Sequence, residues 1–362
     1  MKIKAVVTHQ QGETLRIEDA ELREPREDEV LVKIVATGVC HTDALGRDIG
    51  MTPYPVVLGH EGAGIVEKTG EFVTSVEPGD HVVLSFAYCN HCVNCLKGHP
   101  ANCVSSGSLN FGGRFADQTT PLRQGNQELS TFFGQASFAT YSVVKETSVV
   151  KVDKDVDLTL LGGLGCGLQT GSGTVLNRLK PEFGTSIVIY GAGAVGLSAI
   201  MGAKLTGCTN IIAVDIHDNR LALAKELGAT HTINSQTEDI EERIKEITGG
   251  GAEYGLDTTG VPSVVRAALR ALIPMGTLAV VGLTPEMPID IHAEIMSVSK
   301  SLIGVVEGDS VPQLFIPRLV SFYKQGRFPI DKLVKCYDFE DINQAFADSA
   351  NGSVIKPVVK IG

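Results

Sequence analysis

The feature that most constrains the fold is Gly191-Ala-Gly193-Ala-Val195-Gly196, taken with what flanks it. Residues 187–190 ahead of it are a short β-branched apolar run, which reads as a strand. Residues 195–206 behind it read as an amphipathic helix. A second strand, 210–214, ends at Asp215, nineteen residues past the last glycine. A lone GxGxxG is a weak signal, but strand, helix and acidic residue at these distances together make a dinucleotide fingerprint. Gly191 allows the tight turn, Gly193 lets backbone approach a pyrophosphate, and Gly196 lets helix pack closely on strand. With Val195 they form the candidate cofactor loop. Asp215 is placed to accept hydrogen bonds from ribose hydroxyls and to repel a 2′-phosphate, which favours NAD over NADP. Arg220 is a basic group close enough to soften that preference.

The alternation continues downstream. Helical pattern fills 219–228, 238–248 and 261–272, and strand pattern fills 252–257, 277–282 and 301–306. This is an α/β chain with a doubly wound parallel sheet of about six strands over residues 168–308. Upstream, β-like runs at 4–8, 30–37, 64–68, 81–84 and 138–144 are separated by Pro25, Gly70 and Pro78-Gly79-Asp80, a pattern suited to a small barrel or sandwich. At 362 residues the chain is too long for one core. Residues 309–362, with a helix at 311–325 and a β-like run at 355–361, are too few for a domain of their own. They are expected to complete the first domain, giving 1–167 with 309–362 beside 168–308.

Chemistry is carried first by cysteine. Cys89, Cys92, Cys95 and Cys103 have the spacing C-x2-C-x2-C-x7-C, which suits one closed tetrahedral zinc. A ferredoxin-type cluster would bring its fourth cysteine after three residues and follow it with proline. Here seven residues intervene and Val104 follows. The stretch 38–64 offers Cys40, Thr42, Asp43, His60 and Glu61. Cys40 and His60 alone cannot hold a catalytic zinc, and either could be ordinary core. Cys166, just ahead of the nucleotide domain, supplies a third ligand and leaves one coordination position open. Cys208 and Cys336 are isolated and read as small core residues.

A net charge of −11 argues against nucleic acid and anionic membranes as partners. The N-terminus has no signal-like apolar run, and the longest apolar stretch, 187–205, is broken by Gly191, Gly193, Gly196 and Ser198. Eight cysteines without a secretion signal point to a reducing, cytoplasmic setting.

In this order, Cys40-His-Thr, Gly59-His60-Glu61, the four-cysteine segment, Cys166 and GAGAVG resemble the zinc-containing medium-chain alcohol dehydrogenases, over about residues 5–360. The resemblance implies a GroES-like catalytic domain, completed by the C-terminal segment, and a Rossmann domain that binds NAD. It implies two zinc ions per chain. The catalytic one falls on Cys40, His60 and Cys166, with Glu61 as an acidic neighbour that approaches it transiently. The structural one falls on Cys89, Cys92, Cys95 and Cys103. Thr42 would take the alcohol proton and Asp43 would orient His60, although both could instead cap a local turn. His41 and Lys356 match basic positions near the pyrophosphate, Arg220 one beside the adenosine ribose, and Thr170, Gly282 and Leu283 contacts to the nicotinamide half. Lys356 reads equally well as a solvated surface lysine.

One position departs from the family. A histidine often stands three residues beyond the relay hydroxyl, and here that residue is Leu45. Residues 131–141 resemble the aryl-alcohol branch, with Phe86 and Phe132 as candidate walls of an apolar slot or as plain core. The segment after Cys103 lacks the arginine of the glutathione-dependent formaldehyde branch. The expected reaction is hydride transfer between a small primary alcohol, aryl or allylic, and NAD in a homo-oligomer, dimer or tetramer. The alternatives are an aliphatic alcohol or polyol dehydrogenase, or a zinc- and NAD-binding protein without turnover.

Overall fold

Short β-branched runs punctuated by Gly and Pro make the first 150 residues strand-dense, and the computed structural model, which describes Met1–Gly362, resolves them into two sheets. The strands are β1 (Lys2–Thr8), β2 (Arg16–Leu22), β3 (Glu29–Gly38), β4 (Val56–Val57), β5 (Gly62–Thr69), β6 (His81–Leu84), β7 (Leu122–Gln124), β8 (Gln127–Thr131), β9 (Tyr141–Lys145) and β10 (Val149–Val152). β1, β2, β7, β8 and β4 close into a barrel. β2, β7, β8 and β10 are short or polar in pattern, which is why sequence periodicity does not announce them. Apolar side chains of this unit, among them Leu31, Ile34 and Leu84 on its strands and Leu58, Phe132 and Phe138 on the connections, are fully buried.

The alternating pattern after residue 185 gives β11 (Ser186–Tyr190), β12 (Asn210–Asp215), β13 (His231–Asn234), β14 (Ala252–Asp257), β15 (Leu272–Val280) and β16 (Ser301–Gly304). All pair in parallel, in the order β13-β12-β11-β14-β15-β16. This is the doubly wound order, with crossovers that reverse direction at β11. The helix Ala194–Thr206 is not amphipathic as expected. Every residue from Gly196 to Ala203 is buried, because the helix Gly167–Gly173 covers the side turned away from the sheet. β16 ends at Gly304, two residues short of the expected strand, where the chain leaves the sheet with Val306 exposed.

The C-terminal segment adds the helix Pro312–Lys324, then β17 (Val334–Asp338), the helix Ile342–Ala350 and β18 (Lys356–Lys360). The second and third of these elements went unforeseen. β17 buries only Tyr337, and the nine-residue helix buries Ile342, Ala345 and Phe346, a stripe too brief to stand out by period. β18 pairs antiparallel with β3 and stitches the C-terminus into the seven-stranded sheet β10-β6-β5-β3-β18-β17, where β9 also pairs with β3. By contacts the chain divides into Met1–Cys166 with Val311–Gly362, and Gly167–Ser310. Cys208 and Cys336 are half-buried rather than core. No helix is long and apolar enough to cross a membrane.

Candidate functional site

Two clusters of potential metal ligands lie in the first unit. Cys89, Cys92, Cys95 and Cys103 bring their sulfurs within 4.8 Å of one another. Cys92 Sγ is 3.5 Å from Cys95 Sγ and 4.0 Å from Cys103 Sγ, and Cys89 Sγ is 4.0 Å from Cys95 Sγ. Zinc–sulfur bonds of about 2.3 Å put the edges of a tetrahedron near ~3.8 Å, so the four thiols fit one zinc. Backbone N–H groups point at the sulfurs: Cys89 N–H donates to Cys103 Sγ and Cys92 N–H to Cys89 Sγ, each at 3.3 Å. Backbone donors at Cys95 and Val104 pull the Cys92 thiol down to about 6, while burial pushes the Cys95 and Cys103 thiols up.

The second cluster is assembled from distant segments. Cys40 precedes the helix His41–Ile49, His60 and Glu61 lead into β5, and Cys166 closes the first unit's N-terminal segment. Their ligand atoms also lie within 4.8 Å of one another, and His60, Glu61 and Cys166 are buried. Asp43, fully buried, holds the pieces in register. Its Oδ2 accepts Cys40 N–H at 3.0 Å, and its Oδ1 accepts Gly59 N–H at 3.1 Å and His60 Nδ1–H at 2.8 Å. With Nδ1 donating to a carboxylate, the lone pair of the ring is on Nε2. His60 Nε2 is buried without a hydrogen-bond partner, which is the state expected of an atom meant for a metal. Burial disfavours a charged ring, but the Asp43 carboxylate outweighs it and raises the His60 pKa well above the ordinary value. Contact with Cys166 lowers the Cys40 thiol well below its usual range despite burial. Two thiols and one imidazole of this kind fit a catalytic zinc.

Glu61 is the fourth donor of the cluster, yet it is engaged elsewhere. Lys356 Nζ lies 2.7 Å from Glu61 Oε1 and 2.6 Å from Oε2, and also donates to Val39 O at 3.3 Å. Lys356 is only 2% exposed, which corrects the surface-lysine alternative. Burial works against its ammonium, but the Glu61 carboxylate prevails and raises its pKa. Gly38 makes the approach possible, since a Cβ there would stand 1.9 Å from Glu61 Oε2. Thr42 Oγ1 is 3.7 Å from Cys40 Sγ, and His41 is exposed at the start of its helix.

Three residues that sequence reasoning passed over support the cluster. Gln135, buried to 1% exposure, donates from Nε2 to His60 O at 3.0 Å and to Ser85 O at 2.9 Å. Ser85 Oγ donates in turn to Gly165 O at 2.8 Å, next to Cys166. Phe133 stacks on the His60 ring, centroids 4.4 Å apart, and does so in a left-handed backbone conformation with φ 54°. A non-glycine residue there is strained, and such strain gathers at functional sites. Phe132 meets the same imidazole edge-on at 5.5 Å, while Phe86 lies in the same buried apolar cluster. The only signal in sequence was the Phe-Phe-Gly-Gln run, whose polar member is indistinguishable from a loop residue.

In the second unit the glycine loop suits a pyrophosphate. Gly191 has φ 91°, and a Cβ on Gly196 would meet Gly191 O at 1.8 Å. A Cβ on Gly193 would have no atom within 4 Å, so backbone there faces open space, as a phosphate cradle requires. Val195 is half-buried in the first turn of the following helix. Asp215 ends β12 and accepts N–H groups of Ala192, Ile216 and His217 at 2.7, 2.8 and 2.9 Å. A carboxylate has about four lone-pair directions, so room remains for a ribose hydroxyl. Arg220 lies in the first turn of the helix Asp218–Leu227, Gly282 and an exposed Leu283 follow β15, and Thr170 Oγ1 lies 3.3 Å from Glu307 Oε2.

Comparison with known proteins agrees with this architecture. Residues 26–154 match the alcohol dehydrogenase GroES-like domain, and residues 194–323 match the zinc-binding dehydrogenase family. Geraniol dehydrogenase of Castellaniella defragrans is 45% identical over 361 residues, which cover 98% of this chain and 97% of that protein. The crystal structure of benzyl alcohol dehydrogenase from Acinetobacter calcoaceticus is 47% identical, with a TM-score of 0.96 over 100% of both chains. An alcohol dehydrogenase zinc-binding domain protein from Burkholderia ambifaria is 49% identical, with a TM-score of 0.97 over 100% of this chain and 99% of that one. With a GroES-like domain, a Rossmann domain and relatives of this closeness over its full length, the chain belongs to the zinc-containing medium-chain alcohol dehydrogenases, oxidoreductases that use NAD.

Proposed function

We propose that the protein oxidises an allylic or aryl primary alcohol to the aldehyde, passing a hydride to NAD, with Cys40, His60 and Cys166 holding a catalytic zinc. The observation that carries this is the convergence of two sulfurs and an orphaned His60 Nε2, while the fourth donor, Glu61, is paired with Lys356. That pairing leaves a coordination position for substrate. When bound, zinc supplies the Lewis acidity that lowers the alcohol's pKa, and NAD supplies the hydride acceptor. Thr42 Oγ1 receives the hydroxyl proton. Leu45 offers no base, so the proton handed on by Thr42 would leave through the cofactor's ribose hydroxyl and water, or through another base. Phe132 and Phe133 flank His60 and exclude water from the reacting atoms.

Cys89, Cys92, Cys95 and Cys103 hold the structural zinc. Gly191, Gly193, Val195, Gly196, Asp215 and Arg220 serve the adenosine half of NAD. Thr170, Gly282 and Leu283 serve the nicotinamide half, and His41 the pyrophosphate. The aromatic pair beside His60 supports a flat or unsaturated substrate, as do the relatives named for geraniol and benzyl alcohol. The open outer edge of β16, with Leu302, Met275 and Met296 exposed, supports a homo-oligomer, dimer or tetramer. Eight cysteines, none in a disulfide, support a cytoplasmic setting.

An NAD-reduction screen tests the substrate class. Benzyl alcohol and geraniol should exceed ethanol and sorbitol in kcat/KM by about tenfold or more. Strong ethanol or sorbitol turnover beside a flat response to benzyl alcohol and geraniol would refute the allylic and aryl assignment.

A further inference from the structure

One residue outside the ligand cluster joins the aromatic segments around His60. Asn110 is only 2% exposed and lies in the short helix Ser106–Phe111, which follows the four-thiol segment. Its side chain closes a two-way pair with the backbone of Ala87: Oδ1 accepts Ala87 N–H at 2.9 Å, and Nδ2 donates to Ala87 O at 3.0 Å. Nδ2 also donates to Ser106 O at 2.9 Å, one turn back in its own helix. An amide sets an acceptor and a donor side by side, as this pairing demands, whereas a carboxylate has no donor to give. The backbone of the same residue is used as well, since Asn110 O accepts Phe133 N–H at 2.8 Å.

These bonds place Asn110 between two aromatic segments. On one side Ala87 directly follows Phe86, which is 3% exposed. On the other, Phe133 stacks on the His60 imidazole and Phe132 meets that ring edge-on. Phe111, next in the chain, meets both rings edge-on, its centroid 5.1 Å from that of Phe133 and 6.0 Å from that of Phe132. Phe133 and Ala136 are non-glycine residues in the left-handed region, with φ 54° and 55°, so this stretch needs contacts from elsewhere to keep its shape. Asn110 O supplies one of them. Apolar packing is non-directional and cannot by itself fix how far apart two rings stand. Hydrogen bonds from one buried amide residue to both segments can.

On the aryl and allylic alcohol oxidation argued above, we propose that Asn110 is a positioning residue that fixes the spacing of Phe86 and Phe133 beside His60, and through them sets the preference for flat, unsaturated alcohols. It takes no part in bond making and acts only through the rings it holds. A planar substrate must fit between walls at a set distance, so a shift of either ring weakens its binding. Ethanol is too short to fill such a slot, and its turnover reports the zinc and hydride chemistry without the walls.

The test is the ratio of kcat/KM for benzyl alcohol to that for ethanol, measured with NAD on the full-length zinc-loaded protein. Asn110→Ala should lower this ratio about tenfold, chiefly through a higher KM for benzyl alcohol, while kcat for ethanol stays within about threefold. Phe111→Leu keeps an apolar side chain but loses the edge-on contacts, and should lower the ratio about threefold. Where Asn110→Ala does not fold, Phe111→Leu decides. Asn94→Ala is the control for general loosening of the four-thiol segment, where Asn94 Nδ2 donates to Asn102 O at 2.6 Å. It should lower the Tm and leave the ratio unchanged. A ratio unmoved in the deciding variant, or moved as far by Asn94→Ala, would overturn the proposal and reduce Asn110 to a structural tie. An unmodified protein that does not prefer benzyl alcohol to ethanol would overturn the aryl and allylic assignment, and this proposal with it.

Discussion

The two cysteine clusters make opposite use of the chain. The four-thiol segment draws every donor from fifteen residues, leaves most of them half exposed and relies on its own backbone N–H groups to hold the sulfurs. The Cys40, His60, Glu61 and Cys166 cluster draws on segments more than a hundred residues apart and is almost wholly buried. It relies on other side chains instead: Asp43, Gln135, Phe133 and Lys356. A local, closed cluster needs only spacing. A distributed, open one needs a scaffold that fixes each donor separately and keeps a spare carboxylate occupied.

That contrast can be broken by mutation. The largest effect is expected from Cys166→Ala, which should lower alcohol oxidation by more than about a hundredfold. Metal analysis should fall from about two zinc ions per chain to about one, with the four-thiol segment still loaded. If both ions were lost together, the clusters would not be independent. Asp43→Asn comes next. A single amide oxygen cannot accept the three N–H groups that Asp43 now accepts, so catalytic-site zinc affinity should drop by about 10–100-fold in chelator competition. The other ion should be held as before, and equal loss at both sites would refute the role given to Asp43. Cys103→Ser should have the smallest effect on chemistry. It should remove the structural ion and lower the Tm by several degrees, while kcat for benzyl alcohol at low temperature stays within about threefold. A loss of activity as deep as that of Cys166→Ala would erase the distinction between the sites.

Lys356 shows how the scaffold differs from a list of motifs. In sequence it is one lysine near a C-terminus. In the fold it is buried against Glu61, and removing one partner of such a pair typically costs about 3–5 kcal/mol, because the other charge is left without compensation. Gln135 is similar. Nothing in Phe133-Gly-Gln135-Ala says that its amide will bridge the carbonyls of His60 and Ser85.

The sequence alone determined whatever depends on neighbours in the chain. The glycine loop with its flanking strand and helix, the closed four-cysteine spacing and the parallel sheet all rest on short-range periodicity and turn chemistry. Cys40, His60 and Cys166 could be nominated as candidate ligands because few residue types suit zinc. The tertiary structure alone decided what meets across the fold: β17 and the helix Ile342–Ala350 completing the first unit, Asp43 joining Cys40 to His60, Lys356 holding Glu61, and Glu307 reaching Thr170. These contacts follow from packing and from satisfying buried polar groups, which depend on where the backbone brings distant residues rather than on what precedes or follows them.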